Sequence, residues 1–346
     1  MRHSVYLTLT LFIFAAVLAS GCGLGRIARE HQKESGDSIN LKLAYHLPQE
    51  HYLSRNIENF AQNVEMKSNG KIRIVVYPAG QLYTDKSMND AIMSGGLDIG
   101  LNSTAMWTSV IPALNVLDLP YVLMDYEAVT RAMKGQLGKT LTLEMEKKGV
   151  HPLIWCDYGY VQFANNKHEL RDPADFKGLQ LRGYGEIPAE TIKALGASPV
   201  TMSSGEVYLA MQRGTIDGQT SGTTAMYDRK IYEVAPYLTM SNHAYCEFVL
   251  AMNAATWSRL TPDQQQILEE CAEEVRTSIQ AAAEQEDRDA MKNLEAAGMQ
   301  VYIVPPENYS KWAAATASVV DSFIIRNGDL GRQLVAACQA ANTSKD

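Results

Sequence analysis

A single arginine ends an alternating segment of the chain. In "DFKGLQLRGYG", residues 175–185, Leu179 and Leu181 alternate with polar residues, and Arg182 comes just before a break marked by two glycines. The alternation predicts a half-buried strand with Arg182 at its end. A guanidinium fixed there offers two parallel N–H donors to a carboxylate. On the pattern alone, an ion pair with a surface Asp or Glu remains the simpler alternative.

The sequence offers little for catalysis. It lacks G-x-S-x-G, a phosphate-binding P-loop, H-E-x-x-H and a GxGxxG segment that opens a helix. The paired carboxylates at 269–270 and 273–274 lie among alanines and glutamines, where a solvated helix face explains them. We therefore expect no enzyme, no cofactor and no metal site. Packing roles, rather than a disulfide framework, are expected for four scattered cysteines: Cys156, Cys246, Cys271 and Cys338.

The N-terminal segment predicts export. Arg2 and His3 precede an apolar run over 5–19, which is too short to span a bilayer, and the run ends in "LASGC". This pattern is typical of a bacterial lipoprotein, with a signal peptide over 1–21 and an acylated Cys22. An ordinary signal peptide with an incidental cysteine is the alternative. The segment 22–38 has no apolar periodicity and predicts a tether that holds the folded body off the membrane.

Charge and length restrict the class of protein. The formal net charge is −8, and no block of Lys and Arg occurs anywhere. Nucleic-acid binding depends on clustered cations, so we expect no nucleic-acid partner. Roughly 300 residues follow the tether, which is enough for more than one domain by the usual size range.

Strand and helix patterns alternate and predict an α/β architecture. The chain opens with a β-α-β pattern, and "AIMSGGLDIG" from Ala91 is then echoed by "AMQRGTIDG" from Ala210. Each copy predicts a capped helix, a glycine turn and a short strand. The expected caps are Thr84 or Asp85 in the first copy and Ser203, with Glu206 three places on, in the second. The repeat suggests two similar lobes.

The C-terminal third predicts a very long helix. "TPDQQQILEE" begins with Thr261 as N-cap and Pro262 in the first turn, and the helical pattern runs about ten turns to Gly298. A helix of this length is better suited to brace two lobes than to lie inside one. The strand "MQVYIV" and further helices from Tyr309 follow it.

Several segments together resemble a known family. "HLPQEHY", "YPAGQL", "GGLDIG", "LNVLDLPYVL", "DFKGLQLR", "GEVYLAMQRGTIDGQ" and "KIYEVAPYLTMSNH" look like successive signatures of the solute-binding proteins of tripartite ATP-independent periplasmic (TRAP) transporters. These segments cover nearly the whole span from Leu41 to His243. The resemblance implies two α/β lobes with crossing hinge strands, which close on a small organic acid.

The resemblance also implies a domain plan. The first lobe is expected over 39–157 together with about 246–260, and the second over 158–245. The helix over 261–298 would brace both lobes, and 299–346 would form a C-terminal strand and helices. We expect a hinge motion that closes the two lobes around the ligand.

The family's anchoring arginine corresponds to Arg182. Where many sugar-acid binders carry a second arginine, the segment "GYVQFAN" has Val161, so that segment supplies no second cation. Gln162 beside it resembles a glutamine of some keto-acid binders. Ser221 replaces a ligand-contacting asparagine, and Ser204 stands where an aromatic residue is expected. These departures favour a small ligand over a uronate or a sialic acid.

Other cleft candidates follow from position. They end or follow predicted strands, or lie where the chain should cross between lobes: His46, Asn102, Ser103, Trp107, Tyr158, Tyr160 and Tyr184. Core packing under a loop is an equal alternative for Trp107, and most of the tyrosines are expected to be structural.

The sequence thus predicts a lipid-anchored receptor at the periplasm or cell surface, which delivers a monocarboxylate such as a 2-hydroxy or 2-keto acid to TRAP membrane subunits. A small sulfonate or an aromatic acid is a further ligand class. A ligand sensor that signals to a partner and an exported enzyme are the rival functions.

Overall fold

The computed structural model of the protein describes residues 38–343. The predicted signal peptide, Cys22 and all but the last residue of the predicted tether lie outside this range. Among the described residues, no helix is both long enough and apolar enough to cross a membrane.

The alternating segments at 39–47, 71–80 and 175–185 form strands, as predicted. The chain has nine strands between residues 38 and 343: β1 Ile39–Tyr45, β2 Ile72–Tyr77, β3 Ile99–Ser103, β4 Val150–Asn165, β5 Gln180–Gly183, β6 Ser198–Thr201, β7 Gly218–Gly222, β8 Tyr237–Asn253 and β9 Gln300–Ile303.

The α-helices lie between and after these strands. Within the described range they are α1 Tyr52–Lys67, α2 Met88–Met93, α3 Tyr126–Lys134, α4 Gln136–Glu146, α5 Glu186–Ala194, α6 Val207–Gln212, α7 Thr223–Asp228, α8 Ala254–Arg259, α9 Pro262–Ala296 and α10 Tyr309–Thr343. The last is interrupted at Gly328, whose φ of 56° is left-handed and separates two helical segments.

The sheet is built from two similar halves joined by two long strands. Its order is β2-β1-β3-β8-β4-β7-β5-β6, with β9 beside β8. In the first half, β1 runs parallel to β2 and β3, and β3 is antiparallel to β8. In the second half, β5 runs parallel to β6 and β7, and β7 is antiparallel to β4. The antiparallel crossing strands β4 and β8 connect the halves. The predicted mixed α/β class with crossing strands is confirmed.

The sequence echo marks equivalent places in the two halves. Its first copy forms α2 and β3, and its second forms α6 and β7, each with a glycine turn between helix and strand. The Ser203–Glu206 capping box is present. The cap predicted at Thr84 or Asp85 is wrong, because α2 begins later, after Ser87. The carboxylate of Asp85 therefore does not cap α2.

The long helix α9 packs behind the crossing strands. Its capping box at Thr261 and its proline in the first turn are formed as predicted. It contacts β4, α1 and α7, so it packs against elements of both halves of the sheet. The four cysteines of the described range are buried, and none of them forms a disulfide with another.

Candidate functional site

A cavity lies between the two halves of the sheet, in front of β4 and β8. About 40 Å³ of it is available to the centres of water molecules. Its lining combines charged and polar side chains with an apolar wall: His46, Leu47, Asp85, Ser103, Met106, Tyr158, Val161, Arg182, Tyr184, Ser204, Gln219, Ser221, Ala225, Arg229, Cys246 and Phe248.

Arg182 is a buried cation at the end of β5. Leu179 and Leu181 of the same segment are buried in an apolar core, and this fixes the strand that carries Arg182. Arg182 is 2% exposed, its Nε donates to the carbonyl of Met202 at 3.2 Å, and its guanidinium lies 5.8 Å from the ring centre of Tyr184. Burial lowers its pKa, yet an arginine remains protonated. Within residues 38–343 it forms no ion pair, so the surface-pair alternative does not hold.

A second cation, Arg229, enters the cavity from the end of α7. It is half-buried, and its Nη2 donates to the carbonyl of His46 at 3.1 Å, which joins the second half of the sheet to the first. Sequence reasoning missed this residue because its pattern, an arginine after a short helix, is that of a solvated surface. Its position one short helix after the second echo strand is the signal that could have identified it.

His46 contributes a neutral ring to the same wall. It follows β1 and stacks on Phe248, with ring centres 5.7 Å apart. Burial is the main cause that lowers the pKa of His46 to about 4; Asp85 acts to raise it, and the nearby arginines act to lower it. The imidazole is therefore uncharged at neutral pH. Its Nδ1 is buried without a hydrogen-bond partner among the described residues.

Asp85 extends from the first half of the sheet to the second. Its Oδ1 accepts from Ser203 Oγ at 2.5 Å and its Oδ2 accepts from the backbone N–H of Ser204 at 2.9 Å. Burial works to raise the pKa of Asp85, but the protonated form of His46, the charge of Arg182 and these two hydrogen bonds outweigh it, and the pKa is lowered. Asp85 is thus an ionised group in the cavity wall.

Aromatic side chains form the apolar side of the cavity. Tyr158 stacks on Phe248 with ring centres 4.8 Å apart, and its hydroxyl lies 3.3 Å from Ser221 Oγ. Tyr184 donates to Asp118 Oδ1 at 2.8 Å, which fixes the ring that faces Arg182. Rigid rings of this kind position a small ligand at low entropic cost.

The structure brings most of the predicted site residues together. Seven of them line the cavity: His46, Ser103, Tyr158, Arg182, Tyr184, Ser204 and Ser221. The lining residues that sequence reasoning did not propose for the site include Asp85, Gln219 and Arg229.

Gln162 points away from the cavity. Its Oε1 accepts from the backbone N–H groups of Ser241 and Asn242, at 2.8 and 3.0 Å, and its Nε2 donates to Asn242 Oδ1. The neighbouring Val161 lines the cavity instead. Adjacent strand residues face opposite sides of a sheet, so the side chain of Gln162 lies on the face away from the cavity when that of Val161 faces it.

Three further predicted residues lie behind the cavity wall. Asn102 donates to the carbonyl of Asp85 at 2.8 Å and so holds that segment in place. Trp107 is fully buried in an apolar core, as the packing alternative predicted. Tyr160 is also buried there, and its hydroxyl donates to the carbonyl of Leu123. Their side chains are used in packing and internal hydrogen bonds rather than at the cavity surface.

The site can bind an anion. Two arginines face a small cavity with neutral hydrogen-bonding groups and aromatic walls, the environment in which a carboxylate forms strong charge-assisted hydrogen bonds. Among residues 38–343, no cluster of three or more metal-binding side chains occurs.

Comparisons with known proteins agree with this chemistry. A sequence model of the bacterial extracellular solute-binding proteins of family 7 (DctP) matches residues 43–327. The C4-dicarboxylate-binding periplasmic protein DctP of Rhodobacter capsulatus is 31% identical over 285 residues, which cover 82% of this chain and 84% of that protein.

Two solved structures share the fold. A TRAP periplasmic solute-binding protein from Shewanella oneidensis with bound succinate has a TM-score of 0.84 and 26% identity, and the match covers 88% of this chain and 100% of that one. A second, from Ralstonia eutropha H16 with bound (S)-2-acetolactate, has a TM-score of 0.81 and 28% identity, with 87% and 99% covered.

Proposed function

Because the chain belongs to the bacterial extracellular solute-binding proteins of family 7, we propose that it captures a small acid with a single carboxylate, such as a 2-hydroxy or 2-keto acid. The family consists of periplasmic receptors of TRAP transporters, which bind small acids and pass them to the membrane subunits. The protein is therefore a transport receptor, and we propose that it performs no chemistry on its ligand.

The carrying observation is Arg182. A guanidinium that is 2% exposed, with one backbone carbonyl as its hydrogen-bond partner, has donors left for a ligand. Burying such a charge is costly unless an anion compensates it. A carboxylate in the cavity would meet Arg182 in a bidentate pair, with Tyr184 fixing the guanidinium plane.

The size of the cavity supports a small ligand. Only about 40 Å³ of it is available to the centres of water molecules, and Val161 presents an apolar side chain where a second arginine is common in sugar-acid binders. A uronate would require a wider cleft and additional polar partners for its hydroxyl groups. The acetolactate complex of the Ralstonia eutropha protein is an example of a small monocarboxylate in this fold.

A dicarboxylate is the second candidate, and Arg229 favours it. This arginine supplies a second cation to the cavity, and the relative from Rhodobacter capsulatus carries the name of a C4-dicarboxylate binder. The succinate complex of the Shewanella oneidensis protein shows that the fold accommodates such a ligand.

A thermal-shift screen distinguishes the two. Pyruvate, lactate and 2-oxobutyrate are compared with succinate, malate and galacturonate on the wild type, with Arg182→Ala as the control that removes the anchor. A bound ligand raises the melting temperature by mass action. We expect the monocarboxylates to give the larger shifts and Arg182→Ala to abolish them. Larger shifts with succinate or galacturonate would contradict the proposal.

We further propose that the two halves of the sheet move as lobes that close on the ligand. The suggested lobes span 39–157 with about 246–260, and 158–245, with α9 as their brace. Contacts across the cavity, such as Arg229 to His46 and Asp85 to Ser204, would form on closure. Small-angle scattering should give a smaller radius of gyration with ligand than without, and equal radii at saturation would contradict the motion.

We propose that the mature protein is anchored to the membrane through an acylated Cys22. The sequence "LASGC" carries this proposal. Intact-mass measurement of the membrane fraction should find a lipid on the N-terminal cysteine, and an unmodified mature chain would exclude the anchor.

A further inference from the structure

Asp85 is the one acidic side chain on the cavity wall within the described residues. It lies between β2 and α2 in the first half, and it is 2% exposed. Its backbone carbonyl is held by Asn102, and its carboxylate accepts from Ser203 and Ser204 at the start of the helical segment that leads into α6. The carboxylate is therefore fixed from both halves of the sheet and cannot swing out of the cavity without breaking these bonds.

The charges of the cavity wall do not cancel. Among the lining residues, Arg182 and Arg229 are cations and Asp85 is an anion, while His46 is neutral. The wall as a whole therefore carries one positive charge at neutral pH. A ligand with one negative charge balances it, whereas a ligand with two leaves an excess negative charge in a closed, poorly solvated space. Uncompensated charge is costly in such a space because the effective dielectric constant is low.

The negative charge of Asp85 thus disfavours doubly charged ligands, whereas the two arginines favour them. If its carboxylate were absent, both guanidinium groups would be free for a ligand, and a dianion would balance the wall. Repulsion against a wrong partner is as effective a source of specificity as attraction to the right one. Asp85 and Arg182 line the same cavity, so a ligand whose first carboxylate is bound to Arg182 would bring a second carboxylate into the field of the Asp85 charge.

We propose that Asp85 is a specificity-determining residue, which selects singly charged acids by neutralising one of the two cavity arginines. This inference rests on the proposed function, since it presumes that the ligand is an acid held in this cavity. It is distinct from that function, because it concerns the discrimination between acids rather than the capture of one.

The test uses ligands that differ in charge more than in shape. Succinate and succinamate share a skeleton, and the amide removes one charge. Pyruvate, lactate and malate extend the comparison. The dissociation constants of the wild type and of Asp85→Asn are measured by calorimetric titration. Asparagine retains the size of the side chain and one acceptor for Ser203 or Ser204, but it carries no charge.

Two control variants separate charge from closure. Ser203→Ala removes one hydrogen bond across the cavity and leaves the charge of Asp85 in place. Asp90→Asn makes the same chemical change on the exposed face of α2, away from the cavity. A purely mechanical role of Asp85 would make Asp85→Asn resemble Ser203→Ala.

We expect Asp85→Asn to shift the ratio of succinamate to succinate affinity by about tenfold or more towards succinate. Ser203→Ala should weaken both ligands by a similar factor, and Asp90→Asn should change neither. An equal effect of Asp85→Asn on both ligands would overturn the proposal. A wild type that prefers dianions would contradict the proposed function, whereas the change in ratio still reports on Asp85. If none of the five acids binds the wild type, both proposals fail.

Discussion

A charged side chain is buried on each side of the crossing strands, and the two side chains differ in how many of their hydrogen bonds are satisfied within the chain. In front of β4 and β8, Arg182 is buried with one hydrogen-bond partner, a backbone carbonyl. Behind them, Asp287 of α9 is buried with three donors. Tyr126 and the backbone N–H of Tyr160 donate to its Oδ2, and Thr223 donates to its Oδ1.

The contacts of Asp287 join three elements to α9. Tyr126 belongs to α3, Tyr160 to the crossing strand β4 and Thr223 to the start of α7. The carboxylate reaches the strand at Gly159, where the pairing of β4 with β8 shifts register. Gly159 has a φ of 107°, and a Cβ at this position would collide with Asp287 Oδ2. The glycine is required both by the backbone conformation and by the close approach of the helix.

The difference separates a binding charge from a structural one. A buried charge whose hydrogen bonds are all satisfied within the chain stabilises the fold, and a buried charge with unused donors is available to a ligand. Substitutions at Arg182 and at Asp287 should therefore have opposite consequences for binding and for stability.

The largest effect is expected at Arg182. Arg182→Ala should weaken binding of the acid by on the order of 2–5 kcal/mol, because truncation leaves a desolvated carboxylate without its partner. Arg182→Lys should recover part of the loss, since an ammonium has no planar fork. The melting temperature should change little.

Calorimetric titration and thermal unfolding of the Arg182 variants measure both quantities. Arg213→Ala, on an exposed position of the same half, is the control. If Arg182→Ala binds within about threefold of the wild type and melts much lower, Arg182 is a structural residue and the comparison is wrong.

The next effect is expected at Asp287. Asp287→Ala leaves the donors of Tyr126, Tyr160 and Thr223 without their acceptor, and an unsatisfied buried donor costs about 1–3 kcal/mol. The free energy of unfolding in urea should fall by on the order of 3 kcal/mol, with Asp289→Ala on the exposed face of α9 as the control. An Asp287→Ala protein as stable as the control variant would show that these three hydrogen bonds do not stabilise the fold.

The two regions should also differ in their response to pH. Burial raises the pKa of Asp287 from 3.8 to about 6. As pH rises above about 4, this carboxyl ionises in the unfolded chain while it stays protonated in the folded protein. The free energy of unfolding therefore falls between about pH 4 and pH 6, and it levels off once the folded carboxyl is also ionised. The stability of the wild type relative to Asp287→Asn should therefore fall by on the order of 1–3 kcal/mol over this window.

Binding should lack this dependence. The pKa of His46 is lowered to about 4, and that of Asp85 is also lowered, so the charge of the side chains that line the cavity is constant between about pH 5 and pH 8. Burial raises the pKa of Asp118 to about 7 and that of Asp228 to about 6, but neither side chain lines the cavity. Titrations of a strong acid such as pyruvate at both limits should agree within about twofold. A dissociation constant that changes steeply with pH would contradict this prediction for the cavity. A stability of the wild type relative to Asp287→Asn that does not change with pH would contradict the prediction for Asp287.

The smallest effect is expected at Tyr158. Tyr158→Phe removes a hydroxyl that lies 3.3 Å from Ser221 Oγ and keeps the ring that stacks on Phe248. The affinity for the acid should fall by about 0.5–1.5 kcal/mol, the range for one neutral hydrogen bond. A loss as large as that of Arg182→Ala would mean that Arg182 is not the main anchor.

The sequence predicted the parts of the site that local patterns determine. Arg182 follows from strand alternation together with the family resemblance, and Ser204 and Ser221 follow from the resemblance alone. Arg229 and Asp85 were missed, because each reaches the cavity through a contact with the other half of the sheet, and only Arg229 had a sequence signal in its position after the second echo strand. Such contacts depend on how the two halves pack, and no local pattern encodes that.

The fold was more accessible than the site. Capping residues and glycines marked the ends of α9 and of the echoed units, which are local features. Gln162 was proposed for the site, whereas Val161 lines the cavity, because the pairing of β4 with β8 shifts register between Asp157 and Gly159 and again between Val161 and Phe163. A bulge changes which side chains face the cavity, and it arises from pairing with a distant strand.

Native mass spectrometry of the protein purified from its own host tests the central claim most directly. The account predicts that the wild type carries a small acid with a single carboxylate, and that Arg182→Ala, purified in parallel and still folded, carries none. A co-purified dicarboxylate or sugar acid, or a ligand retained by Arg182→Ala, would contradict it.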